Sequence, residues 1–219
     1  MKPRIDYRLY VITDRRLLGD SPAAAVAAAI EGGATLVQLR EKGVTTREWL
    51  RVGAEVLAVC REHGVPFIIN DRVDVALALD ADGVHLGPDD MPVALARRLL
   101  GPHKIIGASA GTPEEARQAA EEGADYIGIG AVFATGSKDD AGEPIGLEGL
   151  RRVREAAPGL AAVAIAGVTA DNAADAVAAG ADGGAVISAV FGAGDPRAAA
   201  ARLRRAVEEG LSRRGRVLW

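Results

Sequence analysis

Gly33-Ala-Thr-Leu-Val37 is a phrase the chain repeats with small changes, as Asp80-Ala-Asp-Gly-Val84, Gly123-Ala-Asp-Tyr-Ile127 and Gly180-Ala-Asp-Gly-Gly184. Each copy follows a helix-like stretch and runs into a strand-like one. Glycine suits that point because the residue just past a helix often takes a left-handed conformation. The phrase therefore reads as a helix end plus a strand start, reused along the chain before the second, fourth, sixth and eighth strands.

Working outward, the strand candidates are Arg8–Thr13, Leu36–Arg40, Phe67–Asn70, Gly83–Leu86, Lys104–Ser109, Tyr126–Phe133, Ala161–Ala166 and Gly184–Ser188. Helical spacing marks Pro22–Glu31, Arg47–His63, Pro113–Glu122 and Ala170–Ala179 among the segments between them. Ser21-Pro22 and Thr112-Pro113-Glu114-Glu115 are helix starts, an N-cap followed by proline, with Glu115 in the capping-box place. Alternation of strands and helices at this length predicts an α/β fold, a single (β/α)8 TIM barrel. The barrel would occupy residues 8–209, with 210–219 as a C-terminal tail. A flavodoxin-like open sheet is the alternative, with fewer strands.

The 219 residues are 49% hydrophobic and 4% aromatic, and the formal net charge is −4. A nucleic-acid partner would call for a basic face, so none is expected. The lone Cys60 excludes an internal disulfide and fits a reducing compartment. No signal-like apolar run opens the chain and none is long enough to span a membrane, which predicts a soluble cytoplasmic protein with no membrane partner. Only Lys2, Lys42, Lys104 and Lys138 among the 26 basic residues are lysines, and Lys42 and Lys138 both follow strand ends.

In a barrel of this kind the active site lies where strands give way to the following loops. Asp71 and Asp90 close two successive strand-like segments, Pro66-Phe-Ile-Ile-Asn-Asp71 and Gly83-Val-His-Leu-Gly-Pro-Asp-Asp90. Mg²⁺ is usually held by one or two carboxylates plus substrate phosphates, and this pair suits it. Asn70-Asp71 and Asp89-Asp90 also read as helix N-caps. Their clustering with Arg40 and Lys42, which capping does not require, favours a metal-assisted phosphate or pyrophosphate enzyme.

Alternation puts Gln38 and Arg40 inside the barrel and Val37 and Leu39 toward the helices. A buried arginine needs an anion, so Arg40 either binds a ligand or pairs with a barrel carboxylate. Ser109 is a turn residue or a ligand contact. The loop Ala134–Gly146 is polar and glycine-bearing, a candidate lid in which Thr135, Gly136, Ser137 and Lys138 offer donors to phosphate. Gly167 and the Ile187-Ser188 pair follow the last two strands, where barrels of this type often bind phosphate. His63 and His103 read as surface residues. His85 points inward, as a satisfied core histidine or an acid–base group.

From Tyr10-Val-Ile-Thr-Asp14 to Ser188 the chain resembles the thiamine-phosphate synthase family. The resemblance rests on Gln38-Leu-Arg-Glu-Lys42, Ile69-Asn-Asp-Arg-Val-Asp74, Gly83-Val-His-Leu-Gly87 with Asp90, the Thr135–Lys138 loop and Ile187-Ser188. It implies a transferase that joins a hydroxymethylpyrimidine diphosphate to a thiazole phosphate through a stabilised pyrimidinyl cation, with Mg²⁺ as cofactor. It further implies that Asp71 and Asp90 bind the metal. Gln38, Leu39, Arg40, Glu41, Lys42, Asn70, Ser109 and Lys138 would contact the pyrimidine diphosphate, with Arg40, Lys42 and Lys138 catalytic. Thr135, Gly136, Ser137, Gly167, Ile187 and Ser188 would hold the thiazole phosphate. The chain departs from the family in reading Ala134-Thr-Gly-Ser-Lys138 where Pro-Thr-x-Thr-Lys is commoner, in the added Asp140-Ala-Gly-Glu-Pro144, and in Ala166-Gly167 where a Gly-Gly pair is common. A thiazole tautomerase of the same fold and a non-catalytic barrel that binds thiamine precursors are the alternatives.

Overall fold

The computed structural model describes residues 5–19, 21–135 and 143–215. Eight parallel strands close in sequence order: β1 (Leu9–Ile12), β2 (Leu36–Leu39), β3 (Phe67–Asn70), β4 (Gly83–Leu86), β5 (Ile105–Ala110), β6 (Tyr126–Ile129), β7 (Ala161–Ile165) and β8 (Gly183–Val186). The helices between and after them are α1 (Pro22–Glu31), α2 (Thr46–His63), α3 (Val73–Leu79), α4 (Val93–Leu100), α5 (Pro113–Glu121), α6 (Gly146–Ala156), α7 (Ala173–Ala178), the short α8 (Ser188–Phe191) and α9 (Pro196–Gly215). Leu9 of β1 pairs with Gly184 of β8, so the sheet has no edge and the open-sheet alternative falls. No helix among the described residues is long and apolar enough to cross a membrane.

The repeated phrase proves to be a clamp at the N-terminal end of the barrel. Its first residue is left-handed in every copy, with φ of 107° at Gly33, 53° at Asp80, 91° at Gly123 and 126° at Gly180. The turn aims the third residue at the preceding strand. Thr35 Oγ1 accepts the Leu9 N–H at 3.0 Å, and the carboxylates of Asp82, Asp125 and Asp182 accept those of Phe67, Ile106 and Ala162 at 2.8, 2.9 and 2.9 Å. The backbone N–H of each clamp residue donates back to the carbonyl of the same partner. Arginines brace two of the clamps: Arg97 donates to Asp125 at 2.7 Å and Arg214 to Asp182 at 3.1 Å.

Side-chain alternation divides the core into two layers. Tyr10, Ile12, Leu36, Ile68, Ile105, Tyr126, Val163 and Ala185 fill the barrel interior. Val37, Leu39, Phe67, Ile69, Val84, Ile127 and their like pack outward against the helices. Gly107 makes room in the interior, since a Cβ there would lie 2.1 Å from the Tyr126 ring.

Several boundaries differ from those the sequence predicts, each for a local reason. β6 stops at Ile129 rather than Phe133, because the Val132 and Phe133 N–H groups turn to the carbonyls of Ile165 and Ala166. β8 ends at Val186, and Ser188 opens α8 instead of closing a strand. α7 starts at Ala173 because the Asn172 side chain ties the chain before it into a loop, accepting from Thr169 N–H at 2.8 Å and donating to the Gly167 carbonyl at 2.9 Å. Residues 210–215, read from sequence as tail, continue α9. Both anticipated helix starts are present, with a full capping box at Thr112 and Glu115.

Candidate active site

The C-terminal ends of β2 to β7 open into a cavity of about 700 Å³. Arg40 and Lys42 enter it past β2, Asn70 and Asp71 from β3, His85 and Asp90 from β4 and the loop after it, and Ser109 from β5. Strand register sets these groups side by side. Asn70 aligns with His85, and the Asp71 N–H continues the ladder to the His85 carbonyl at 2.9 Å.

The two aspartates are not helix caps. α3 begins after Arg72 and α4 after Pro92, and neither residue makes a side-chain cap bond. Asp71 takes a left-handed φ of 62°, while Asp90 folds onto its own loop, its Oδ2 accepting the Gly87 N–H at 2.7 Å. Lys42 Nζ donates to Asp71 Oδ2 at 2.6 Å. Burial, then a hydrogen bond to Asp71 and its charge, push the Asp90 carboxyl up to about 6, and the Gly87 N–H and then Lys42 oppose the shift only in part. Burial and a like-charged neighbour both favour a proton or a cation at this pair. Two hard oxygen donors with room beside them fit Mg²⁺. Among the described residues no three His, Cys, Asp or Glu side chains group into a protein-only metal centre, so any such ion would need further oxygen donors from ligand or water.

Arg40 is paired only at long range. Its side chain is 14% exposed and its Nη1 lies 3.8 Å from Asp14 Oδ2, beyond hydrogen-bond distance. Asp14 is already engaged by Arg16 at 2.7 Å, and that hydrogen bond, first among several causes, keeps its carboxyl below the usual range. Thr13 Oγ1 accepts the Arg40 backbone N–H at 2.8 Å. Sequence reasoning assigned Asp14 no role. The available signal was its position, a polar pair just past a buried strand like Asn70-Asp71.

A smaller cavity of about 170 Å³ lies beside the first, at the ends of β7 and β8, lined in part by Thr135, Gly167, Ile187 and Ser188. Gly167 is required there twice over: its φ is 67°, and a Cβ would meet the Ala134 carbonyl at 2.5 Å. Ala166 beside it is also left-handed, with φ of 70°, without glycine's freedom. Ile165 and Ala166 line both cavities and form the wall between them.

The residues expected at the site thus fall into two groups. Arg40, Lys42, Asn70, Asp71, Asp90 and Ser109 meet in the larger cavity, and Thr135, Gly167, Ile187 and Ser188 in the smaller. Three others do not line either one. Gln38 lies in the interior, bonded to Tyr10. Leu39 packs outward against the helices. Glu41 is buried with its Oε2 3.1 Å from Arg15 Nε and without a well-aligned hydrogen bond, and burial raises its carboxyl. Gly136, Ser137 and Lys138 lie outside the described residues. His85 is a bonded interior histidine, between Tyr126 and Ser109.

Known proteins share both the sequence and the fold. A thiamine-phosphate synthase of Moorella thermoacetica is 55% identical over 200 residues, 91% of this chain and 95% of that protein. One of Chloroflexus aurantiacus is 56% identical over 201 residues, covering 91% and 92%. The solved thiamine phosphate pyrophosphorylase of Pyrococcus furiosus superposes with a TM-score of 0.86 at 50% identity, over 94% of this chain and 98% of that one. Residues 9–190 match the family model for thiamine monophosphate synthase, and to that family the chain belongs.

Proposed function

We propose that the chain condenses 4-amino-2-methyl-5-(diphosphooxymethyl)pyrimidine with 4-methyl-5-(2-phosphooxyethyl)thiazole, giving thiamine phosphate and pyrophosphate. The observation that carries this reading is the shared wall. A charged cavity with room for a diphosphate-bearing ring abuts a smaller, largely apolar one that Thr135 and Ser188 also line, so two substrates can meet at Ile165 and Ala166.

In the larger cavity Arg40 and Lys42 hold the diphosphate, a role Lys138 would share, while Asn70 and Ser109 bind the pyrimidine. Thr135, Gly136, Ser137, Gly167, Ile187 and Ser188 hold the thiazole phosphate. Mg²⁺ bound by Asp71 and Asp90 would supply further positive charge to the departing pyrophosphate. The bond between the pyrimidine methylene carbon and the bridging oxygen breaks, and its electron pair leaves with pyrophosphate. The thiazole nitrogen lone pair then forms the new C–N bond. No proton need be transferred, so the residues serve by orientation, charge and exclusion of water. The reading places the enzyme in the cytoplasm, where the buried thiol of Cys60 stays reduced.

The test is to mix purified protein with both precursors and Mg²⁺ and to measure pyrophosphate and thiamine phosphate together. Equal release of both, abolished by EDTA, is expected. No product from folded protein would refute the reading and leave the tautomerase or the silent barrel.

A further inference from the structure

Below the larger cavity a chain of hydrogen bonds crosses the barrel interior, joining five strands. Gln38 Nε2 on β2 donates to Tyr10 OH on β1 at 2.6 Å. Tyr10 OH pairs with Tyr126 OH on β6 at 2.8 Å, Tyr126 OH with His85 Nδ1 on β4 at 3.0 Å, and His85 Nε2 with Ser109 Oγ on β5 at 3.2 Å. The reaction as described uses neither phenol nor the imidazole.

The hydrogens in this chain can be counted. An amide nitrogen only donates, so the Tyr10 oxygen accepts from Gln38 and its own hydrogen is free for Tyr126. Tyr126 then passes its hydrogen to His85 Nδ1. Reversing that last bond would strand a buried phenolic hydrogen, which is costly. Burial raises both phenols above their ordinary pKa, so each keeps the hydrogen the count requires. With Nδ1 an acceptor, a neutral imidazole carries its one hydrogen on Nε2 and donates it to Ser109. The serine hydrogen is left to point into the cavity that Ser109 lines.

We propose that Tyr10, Tyr126 and His85 are positioning residues, a one-way relay from Gln38 that holds His85 as its Nε2–H tautomer and makes the Ser109 hydroxyl a fixed donor. Whatever lies over Ser109 must then be an acceptor. On the reading above, from which this part follows, an aminopyrimidine presents a ring nitrogen there and is turned so that its amino group lies elsewhere. The relay acts as an orientation filter for the ring.

The test is ¹⁵N NMR of histidine-labelled, ligand-free protein, with the His85 signals identified by their loss in His85→Asn. The expected result is a protonated Nε2 and an unprotonated Nδ1. An Nδ1–H tautomer would mean the relay runs the other way and would overturn the proposal. Tyr126→Phe keeps the ring and removes the hydroxyl. It should abolish the tautomer preference and raise KM for the pyrimidine diphosphate about tenfold, leaving KM for the thiazole phosphate unchanged. An unchanged tautomer in that variant, or an unchanged pyrimidine KM, also overturns it. The wild-type measurement needs no substrate and no variant that might fail to fold beyond the assignment. It therefore tests the relay separately from the proposed reaction, which fails only if wild-type protein makes no product.

Discussion

The two ends of the barrel use the same residue type in opposite ways. At the N-terminal end Asp82, Asp125 and Asp182 each accept a strand N–H, and Asp125 and Asp182 are also paired with arginine. At the C-terminal end Asp71 and Asp90 interact with one another, Lys42 pairs with Asp71, and Asp90 binds its proton more tightly than an ordinary carboxylate. A carboxylate that accepts a strand N–H inside the protein stabilises the fold. One left with a like-charged neighbour leaves the fold in electrostatic deficit and is available to a ligand.

The largest expected break in that comparison is functional. Asp71→Ala and Asp90→Ala should each lower kcat on the order of 10²–10³, about 2.7–4 kcal/mol, with little change in melting temperature. Steady-state assays at limiting Mg²⁺ check this, and full activity in both variants would remove the metal assignment. Asp125→Ala should do the reverse. It strands the Ile106 N–H and removes the carboxylate partner of the half-buried Arg97, which keeps its bonds to backbone carbonyls, and should cost about 1–3 kcal/mol in urea unfolding while the folded fraction keeps its kcat/KM. Equal loss of activity and stability there would erase the division between the two ends.

A smaller effect follows from the Asp90 proton. Its raised pKa means the folded, metal-free protein holds that proton more tightly than the unfolded chain does. The stability this provides is present in acid and lost as pH rises through about 6. Asp90→Asn should therefore raise the melting temperature of metal-free protein near neutral pH, with the gain vanishing toward about pH 4. Solvent screening at this partly open site keeps the difference to about 1 kcal/mol or less. Isothermal titration of Mg²⁺ into wild-type protein should likewise show affinity falling below about pH 6, because the ion must displace the proton. A pH-independent affinity would count against Asp90 as a ligand.

The smallest change sharpens the wall between the cavities. Ala166 carries a left-handed φ of 70° at a place where glycine would be at ease. Ala166→Gly should stabilise by about 0.5–1 kcal/mol, the relief of strain being partly offset by glycine's greater freedom when unfolded. A melting curve decides it, and a loss of stability would show that the Ala166 methyl packs better than its backbone suffers.

The barrel was legible because its strands alternate with helices and because Gly33, Asp80, Gly123 and Gly180 mark the same turn. The inward and outward faces of β2 followed from alternation, which set Gln38 inside and Leu39 outside as found. The cavity end was legible to the extent that its residues sit at the last position of a strand or the few places after it, as Asn70, Asp71, Arg40 and Lys42 do. What spacing could not show was contact between distant segments. The interior bridge from Tyr10 to Tyr126 spans 116 residues, and the Asp14 neighbour of Arg40 comes from a different strand. Glu41 shows the opposite error. It adjoins Arg40 and Lys42 in sequence, yet the turn after β2 sends it into the protein beside Arg15.

The clamps also bear on how the barrel comes together in time. They connect residues only 26, 15, 19 and 20 positions apart. Loops of that length close at little entropic cost, and short-range contacts speed folding. Each odd strand can therefore capture the even strand that follows it before the rest of the chain has collapsed, and four such hairpin-sized modules can dock in turn. Only the seam between Leu9 and Gly184 must wait for the last module, so destabilising that seam should slow the final step of folding and leave the early ones untouched.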